Sequence, residues 1–359
     1  MVYDVCIISP PHFKQCAPNC ENTGSIEQYC YSLANEFANQ GKKVILWGTG
    51  NAQPTKKFTI KYYFDSHSEN YYSLSPYEVT NKEVIHVAKC LQNIKAKYYL
   101  NHCINGIPLL EAKFGSSGIP YNTTLHWDLN EPRVSRYISA FPKHTYVAVS
   151  THQGKLVKSR RLYHIHPGLE LNYWHNEKNK SDFLLYLGRL TPGKSSDLAV
   201  RVAMKTNNKL MIAGRKMDER YPYYFNNNIR PYLSDKIQYL GEVCGKQKID
   251  LLHKAKCTLC IGRWPEPAAT VISESILAVT PVIAWNPKTS NEGIKHGVNG
   301  YIIKSTNEGG TIKKCINYLD KLNLLDIDSY YQNAREEHDI SRSVKEYLKI
   351  YYEYNSLST

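Results

Sequence analysis

Between residues 256 and 285 the hydrophobic period changes twice, and this constrains the fold more than any other stretch of the chain. Lys256-Cys257-Thr258-Leu259-Cys260-Ile261 is short, apolar and β-prone, ends at Gly262, and predicts a buried parallel strand. Beyond Pro265 and Pro267, Ile272, Ile276 and Leu277 recur at helical spacing with Val271, Ser275 and Ala278, until Thr280-Pro281 ends the pattern. Val282-Ile283-Ala284-Trp285 then begins another strand. A strand, loop, helix and strand in this order belong to an open α/β sheet. Such sheets bind ligands outside the carboxyl ends of the strands, facing the amino end of the next helix.

The chemistry of that loop narrows the ligand. The amides of Ala268, Ala269, Thr270 and Val271 lack intrahelical acceptors, and the helix end carries a partial positive charge that suits phosphate. Glu266 lies in the loop, and Glu274 follows eight residues later, about two helical turns on. Carboxylates repel phosphate but accept hydrogen bonds from hydroxyls. Together the groups suit a ligand with both phosphate and sugar, such as a nucleotide sugar.

A second motif lies upstream. Phe183-Leu184-Leu185-Tyr186-Leu187 predicts a strand, Gly188-Arg189-Leu190-Thr191-Pro192-Gly193-Lys194 a turn, and Ser195-Ser196-Asp197 the start of a helix. Breaking a sugar–diphosphate bond builds negative charge on the departing phosphate, and fixed cations there lower the barrier. Arg189 can fork to two phosphate oxygens and Lys194 supplies a point charge.

The two motifs resemble those of retaining glycosyltransferases of family 4, which have the GT-B architecture of two Rossmann-like doubly wound α/β domains facing each other across a cleft. The likeness rests on Glu-x7-Glu within Trp264-x-Glu266-Pro267, on Thr280-Pro281-Val282-Ile283-Ala284, and on Gly188-Arg189-x4-Lys194. It implies that Glu266 contacts the donor sugar, that Glu274 contacts the ribose, and that Arg189 and Lys194 act on the leaving phosphate without a divalent metal. By the same likeness Gly188 and the amides of Ala268, Ala269, Thr270 and Val271 hold the donor, and the Gly241-Glu242-Val243 turn borders the nucleobase. The family usually has Phe-Gly after Glu-Pro and a glycine before Thr-Pro. This chain has Ala268-Ala269 and Val279 there.

The amino-terminal half opens with a strand through Val5-Cys6-Ile7-Ile8 and a helix from Ser25 with Ile26, Cys30, Leu33 and Phe37 on one face. The helix stops at Gly41, and Lys43-Val44-Ile45-Leu46-Trp47 is the second strand. Further strands are expected in 98–102, 120–127 and 145–150, and a helix over 77–97. The resemblance extends here. Gly24, the one glycine of the family's usual pair, is expected beside donor phosphate and acceptor. His126 is expected to line the cleft beside the donor sugar with its carbonyl facing the anomeric carbon, and Asp128 to orient an acceptor hydroxyl.

At 359 residues there is room for two domains. The expected boundaries are 1–168, completed by a last helix over 341–359, then a linker over 169–180 and a donor domain over 181–338. No apolar run reaches the ~20 residues of a membrane span. The opening residues read as a strand rather than a leader, so the expected compartment is the cytoplasm and the ten cysteines are expected as reduced thiols. His12, Cys16, Cys20 and Cys30 do not compose a metal site, because Cys30 falls on an apolar helix face; Cys257 and Cys260 point to opposite faces of a strand. Asp326-Ile327-Asp328 reads as a turn or helix cap rather than a metal-binding pair. The formal charge of +13 favours peripheral contact with an anionic membrane or polyanionic acceptor, with nucleic acid not expected.

The sequence therefore predicts a metal-independent, retaining glycosyltransferase without a cofactor. It would use a UDP- or GDP-hexose and a hydroxyl acceptor. Two other readings stay open at this stage: a degenerate GT-B fold acting as a basic membrane- or nucleic-acid-binding module, and a sugar-nucleotide epimerase.

Overall fold

The computed structural model describes residues 1–21, 23–68, 70–177, 179–264, 266–285 and 291–356, with the backbone alone at Arg133. The chain divides into two compact units, Met1–Leu169 with Asp339–Thr359, and Glu170–His338.

The first unit is built on seven parallel strands, β1 (Val5–Ile8), β2 (Val44–Gly48), β3 (Thr59–Tyr62), β4 (Tyr99–Asn101), β5 (Tyr121–Leu125), β6 (Thr145–Ala148) and β7 (Arg161–His164), in the order β3-β2-β1-β4-β5-β6-β7. Its central strands are apolar and buried on both faces, as parallel strands covered by helices must be. The helix Ser25–Asn39 buries Tyr29, Cys30, Leu33, Ala34 and Phe37 at helical spacing. The helix Ile340–Ser356 packs on it, and Tyr347 meets Thr124 of β5 hydroxyl to hydroxyl at 2.7 Å.

β7 is not anticipated by the sequence reading. It is the sheet's edge, its residues are exposed or half-buried, and Arg161 and His164 leave no apolar alternation to recognise. The cysteine expectation is also corrected: Cys16 and Cys20 form a disulfide, while Cys6, Cys30, Cys90, Cys103, Cys244, Cys257, Cys260 and Cys315 are free. The loop after β1 brings the two sulfurs together over four residues of separation, a pairing that spacing alone does not specify.

The second unit has six parallel strands, β8 (Phe183–Leu187), β9 (Lys209–Ala213), β10 (Ile237–Tyr239), β11 (Cys257–Cys260), β12 (Val282–Ala284) and β13 (Gly300–Ile302), in the order β10-β9-β8-β11-β12-β13. Leu184 and Ile212 pack with Cys257 on one sheet face, whereas Cys260 packs with Ile272 and Ala284 on the other. Residues 170–180 belong to this unit and carry a 3-10 turn, Leu171–Tyr173. The helix Glu308–Leu319 starts where the Asn307 side chain caps it, accepting from the Gly310 amide at 2.8 Å. Asp326 does cap a helix, accepting from the Ser329 amide.

In both sheets the strand order reverses beside the first strand, between β1 and β4 and between β8 and β11. Loops leaving those strand pairs diverge and open a crevice, which is where doubly wound sheets take ligands.

Candidate functional site

Both motifs fall at the β8/β11 switch point. Residues 188–195 leave β8 and residues 261–264 and 266–269 leave β11, so two segments some seventy residues apart meet at one sheet edge. Their backbones are strapped together: the Gly193 carbonyl accepts from the amides of Arg263 (2.8 Å) and Trp264 (2.9 Å). The Ser195 hydroxyl, fully buried, also accepts from the Arg263 amide at 3.0 Å. To make these contacts Ser195 takes a left-handed conformation, φ 63°, a local strain common where geometry serves a site.

Arg263 holds the same loop through its side chain. Its guanidinium forks onto Asp197 at 2.8 and 2.7 Å, reaches Glu308 at 2.7 Å and donates to the Pro192 carbonyl. Burial raises the Asp197 carboxyl, but hydrogen bonds from Arg263 and Tyr224 outweigh it and hold the group below the usual carboxylate range. Nothing in the sequence discloses this clamp. Only the charge of Arg263 is visible there, and its partners lie 66 and 45 residues away.

Two of the expected site residues, one from each loop, form an ion pair. Lys194 Nζ lies 2.7 Å from Glu266 Oε1, each side chain one-fifth exposed, with the ammonium over the Trp264 ring at 5.2 Å. The Tyr186 hydroxyl donates to the carbonyls of Arg189 (3.2 Å) and Lys194 (3.1 Å), so one buried ring fixes both ends of the turn. Arg189 itself is exposed and pairs with no acidic group among the described residues. The helix Thr270–Leu277 begins at Ala269 with no side-chain cap. Among the described residues, the amides of Ala268, Ala269, Thr270 and Val271 donate to no backbone carbonyl. Glu274, 5% exposed, lies on that helix and is paired with Lys248 at 2.7 Å.

Gly188, Gly214 and Gly241 form a row across the ends of β8, β9 and β10. Gly188 N donates to Ala213 O at 3.0 Å and Gly214 N to Gly241 O at 2.7 Å. Glu242 is exposed and Val243 buried beside them.

In the first unit, Gly24 is the N-cap of the helix Ser25–Asn39. The space a side chain would take there is filled: an added Cβ would fall 2.2 Å from Glu27 Oε2. Burial pushes the Glu27 carboxyl up to about 8, against an ordinary 4.5, although the amides of Phe13 and Glu27 itself favour its charged form. A raised folded-state value means that Glu27 contributes stability in full below about pH 4.5, lost progressively as pH rises to about 8. Unfolding free energies from urea titrations between pH 5 and 8 are expected to fall in wild type by up to about 1.4 kcal/mol per pH unit from this group. In Glu27→Gln that component should vanish; an identical fall in the variant would contradict the assignment.

His126 follows β5 and is half-buried, its Nε2 2.8 Å from Nδ1 of His102. Asp128 is engaged locally, its Oδ1 accepting from the backbone and side-chain amides of Asn130, both at 2.9 Å. Among the described residues no three His, Cys, Asp or Glu side chains cluster as metal ligands.

Residues 173–336 match the family model described as glycosyl transferases group 1. MJ1607 of Methanocaldococcus jannaschii, named an uncharacterized glycosyltransferase, is 32% identical over 130 residues, covering 33% of this chain and 30% of that protein. YtcC of Bacillus subtilis strain 168, whose name assigns it as a glycosyltransferase, is 29% identical over 143 residues, 37% of this chain and 35% of YtcC. The chain thus spans about a third of the length of the curated relatives it matches. Sucrose-phosphate synthase from Thermosynechococcus elongatus shares the fold with a TM-score of 0.79 at 12% identity, over 99% of this chain and 100% of that one. Anabaena Alr3699/HepE, solved with UDP and glucose, has a TM-score of 0.72 at 13% identity, covering 99% of both chains. AviGT4, a glycosyltransferase involved in avilamycin A biosynthesis, gives 0.71 at 17%, covering 99% and 98%.

Proposed function

We propose that this chain, whose second unit is a group 1 glycosyltransferase domain, moves a sugar from a nucleotide-diphosphate donor to a hydroxyl acceptor. The observation that carries the reading is the Lys194–Glu266 pair, set beside Arg189 and the uncapped helix end at the switch point of the second sheet. Before donor binds, the pair keeps each partner in place. A diphosphate takes the ammonium, Arg189 and the helix amides, and the freed Glu266 carboxylate accepts from sugar hydroxyls. Glu274, oriented by Lys248, does the same for the ribose. As the sugar–phosphate bond lengthens, charge grows on the phosphate where the two cations stand, and they stabilise the transition state more than the ground state. The departing phosphate then takes the proton of the incoming hydroxyl, so the new bond forms on the face the leaving group vacates.

UDP-hexoses are the first donors to try, with GDP-hexoses next, because Alr3699/HepE was solved with UDP and with UDP-glucose. We place the reaction in the cytoplasm. A net charge of +13 suits an anionic membrane surface, and among the described residues no helix is long and apolar enough to cross one. Nuclear magnetic resonance of the product, formed with excess chelator present, tests retention of configuration and independence of a divalent metal. The expected product keeps the donor's anomeric configuration at an undiminished rate. An inverted product, or a rate restored only by added divalent metal, would contradict them.

A further inference from the structure

We propose that His102 is a positioning residue that fixes the tautomer of His126: Nε2 of His126 accepts from His102, and its Nδ1–H is left to donate to a ligand hydroxyl. His126 then binds and does not abstract a proton. The functional part of this inference rests on the transfer reading above; the tautomer does not.

The two histidines follow adjacent parallel strands, β4 and β5, whose register pairs Asn101 with Thr123. The His102 amide donates to the Ile8 carbonyl at 2.9 Å, which anchors its backbone to β1. The rings lie with centroids 5.1 Å apart and planes 24° from parallel, so the 2.8 Å contact between Nδ1 of His102 and Nε2 of His126 runs nearly edge to edge. One proton must occupy that contact, and only two neutral arrangements place it there.

In the first, His102 carries its proton on Nδ1 and donates, leaving His102 Nε2 as a bare lone pair. In the second, His126 donates through Nε2 and the His102 proton moves to Nε2. His102 is fully buried, and its Nε2 has no partner among the described residues. The second arrangement therefore buries an unpaired N–H donor, whereas the first buries only an unpaired acceptor. Orphaned donors are the rarer and costlier fault, so the first arrangement prevails.

A charged alternative is disfavoured by the surroundings. Tyr29 meets both rings edge-on at 5.8 and 6.2 Å, Tyr347 lies 6.5 Å from His102, and Trp127 lies 6.1 Å from His126. Burial among these neutral rings pushes His126 down to about 3 and His102 well below its usual value. With Nε2 engaged and Nδ1 protonated, His126 has no free lone pair to act as a base.

The test uses the full chain labelled with nitrogen-15 histidine, read by long-range proton–nitrogen spectra of the imidazoles near neutral pH without donor or acceptor. Wild type and His102→Asn, whose amide nitrogen can donate from the place of Nδ1, are expected to show His126 in the Nδ1–H form. His102→Phe, or His102→Leu should the larger ring not fit, is expected to release it to the Nε2–H form. Turnover should fall about tenfold in the apolar variants, the effect of one hydrogen bond, and stay near wild type in His102→Asn. His126 in the Nε2–H form in wild type would overturn the tautomer. A changed tautomer with unchanged turnover would overturn the positioning role. Since the spectra need no substrate, a protein that turns over no nucleotide sugar but shows the expected tautomers would refute the transfer reading and leave the tautomer standing.

Discussion

Lys194→Ala and Arg189→Ala should each cut turnover by about a hundredfold or more, the usual effect of losing one group that stabilises developing charge, about 2.7–4 kcal/mol. The two variants differ in what else they disturb. Arg189 is exposed with no acidic partner among the described residues, so its removal should leave the melting temperature within about two degrees of wild type. Removing Lys194 takes the counter-ion from Glu266 and one ammonium from over the Trp264 ring, yet both carboxylate and ammonium are one-fifth exposed, and such pairs contribute about 1 kcal/mol or less. The loss should appear in kcat more than in KM, because charge on the phosphate grows only as the bond breaks. Steady-state release of nucleotide diphosphate measures it. Near-normal turnover in both variants would contradict the assigned roles.

Gly214→Ala should cost about 3 kcal/mol of stability or more and abolish most donor binding in the molecules that still fold. Gly214 has φ 146°, and an added Cβ would fall 1.9 Å from the Gly188 carbonyl oxygen and 2.6 Å from its carbon. Both are backbone atoms of the turn that carries Arg189, so they cannot swing aside as a flexible side chain would. Moving Gly188 breaks its bond to Ala213 and displaces Arg189; moving Gly214 breaks its bond to Gly241 and the Tyr239 hydroxyl bond at 2.9 Å. Gly241→Ala is the matched control. Gly241 has φ 79° but nothing within 4 Å of an added Cβ, so it should lose only the ~1–2 kcal/mol of a left-handed alanine. Urea unfolding of both variants, with nucleotide binding corrected for folded fraction, decides. Equal losses would show that the clash at Gly188 is relieved.

The difference between these glycines also marks what the sequence could and could not disclose. The strand and helix periods from 183 to 187 and from 256 to 285 announce a parallel α/β sheet, and the structure puts Lys194 beside Glu266, an encounter the spacing only implied. Those signals are local: period, prolines and turn residues lie within one element. Contacts between distant segments left no such trace. Nothing around Arg263 names Asp197 or Glu308, and nothing in Gly24-Ser25-Ile26-Glu27 beyond a glycine three residues before an acid shows that the carboxyl is buried against it. β7 escaped because an exposed edge strand carries no alternation, and the Cys16–Cys20 bond because two cysteines four apart in a loop are as readily free as joined. His102 escaped for another reason. A histidine ending an apolar strand reads as core, and only the β4–β5 register brings it to His126.

The most direct test of the central claim, a nucleotide-sugar site at the β8/β11 switch point, is thermal melting of the purified chain with UDP, GDP, ADP and their common sugar conjugates under excess chelator. A donor at a hundred times its Kd adds about 2.7 kcal/mol to the native state. Melting temperature is expected to rise clearly with one nucleotide family, UDP first, a rise lost in Glu274→Ala and weakened in Lys194→Ala. No rise with any nucleotide, or a rise that both variants keep in full, would contradict it.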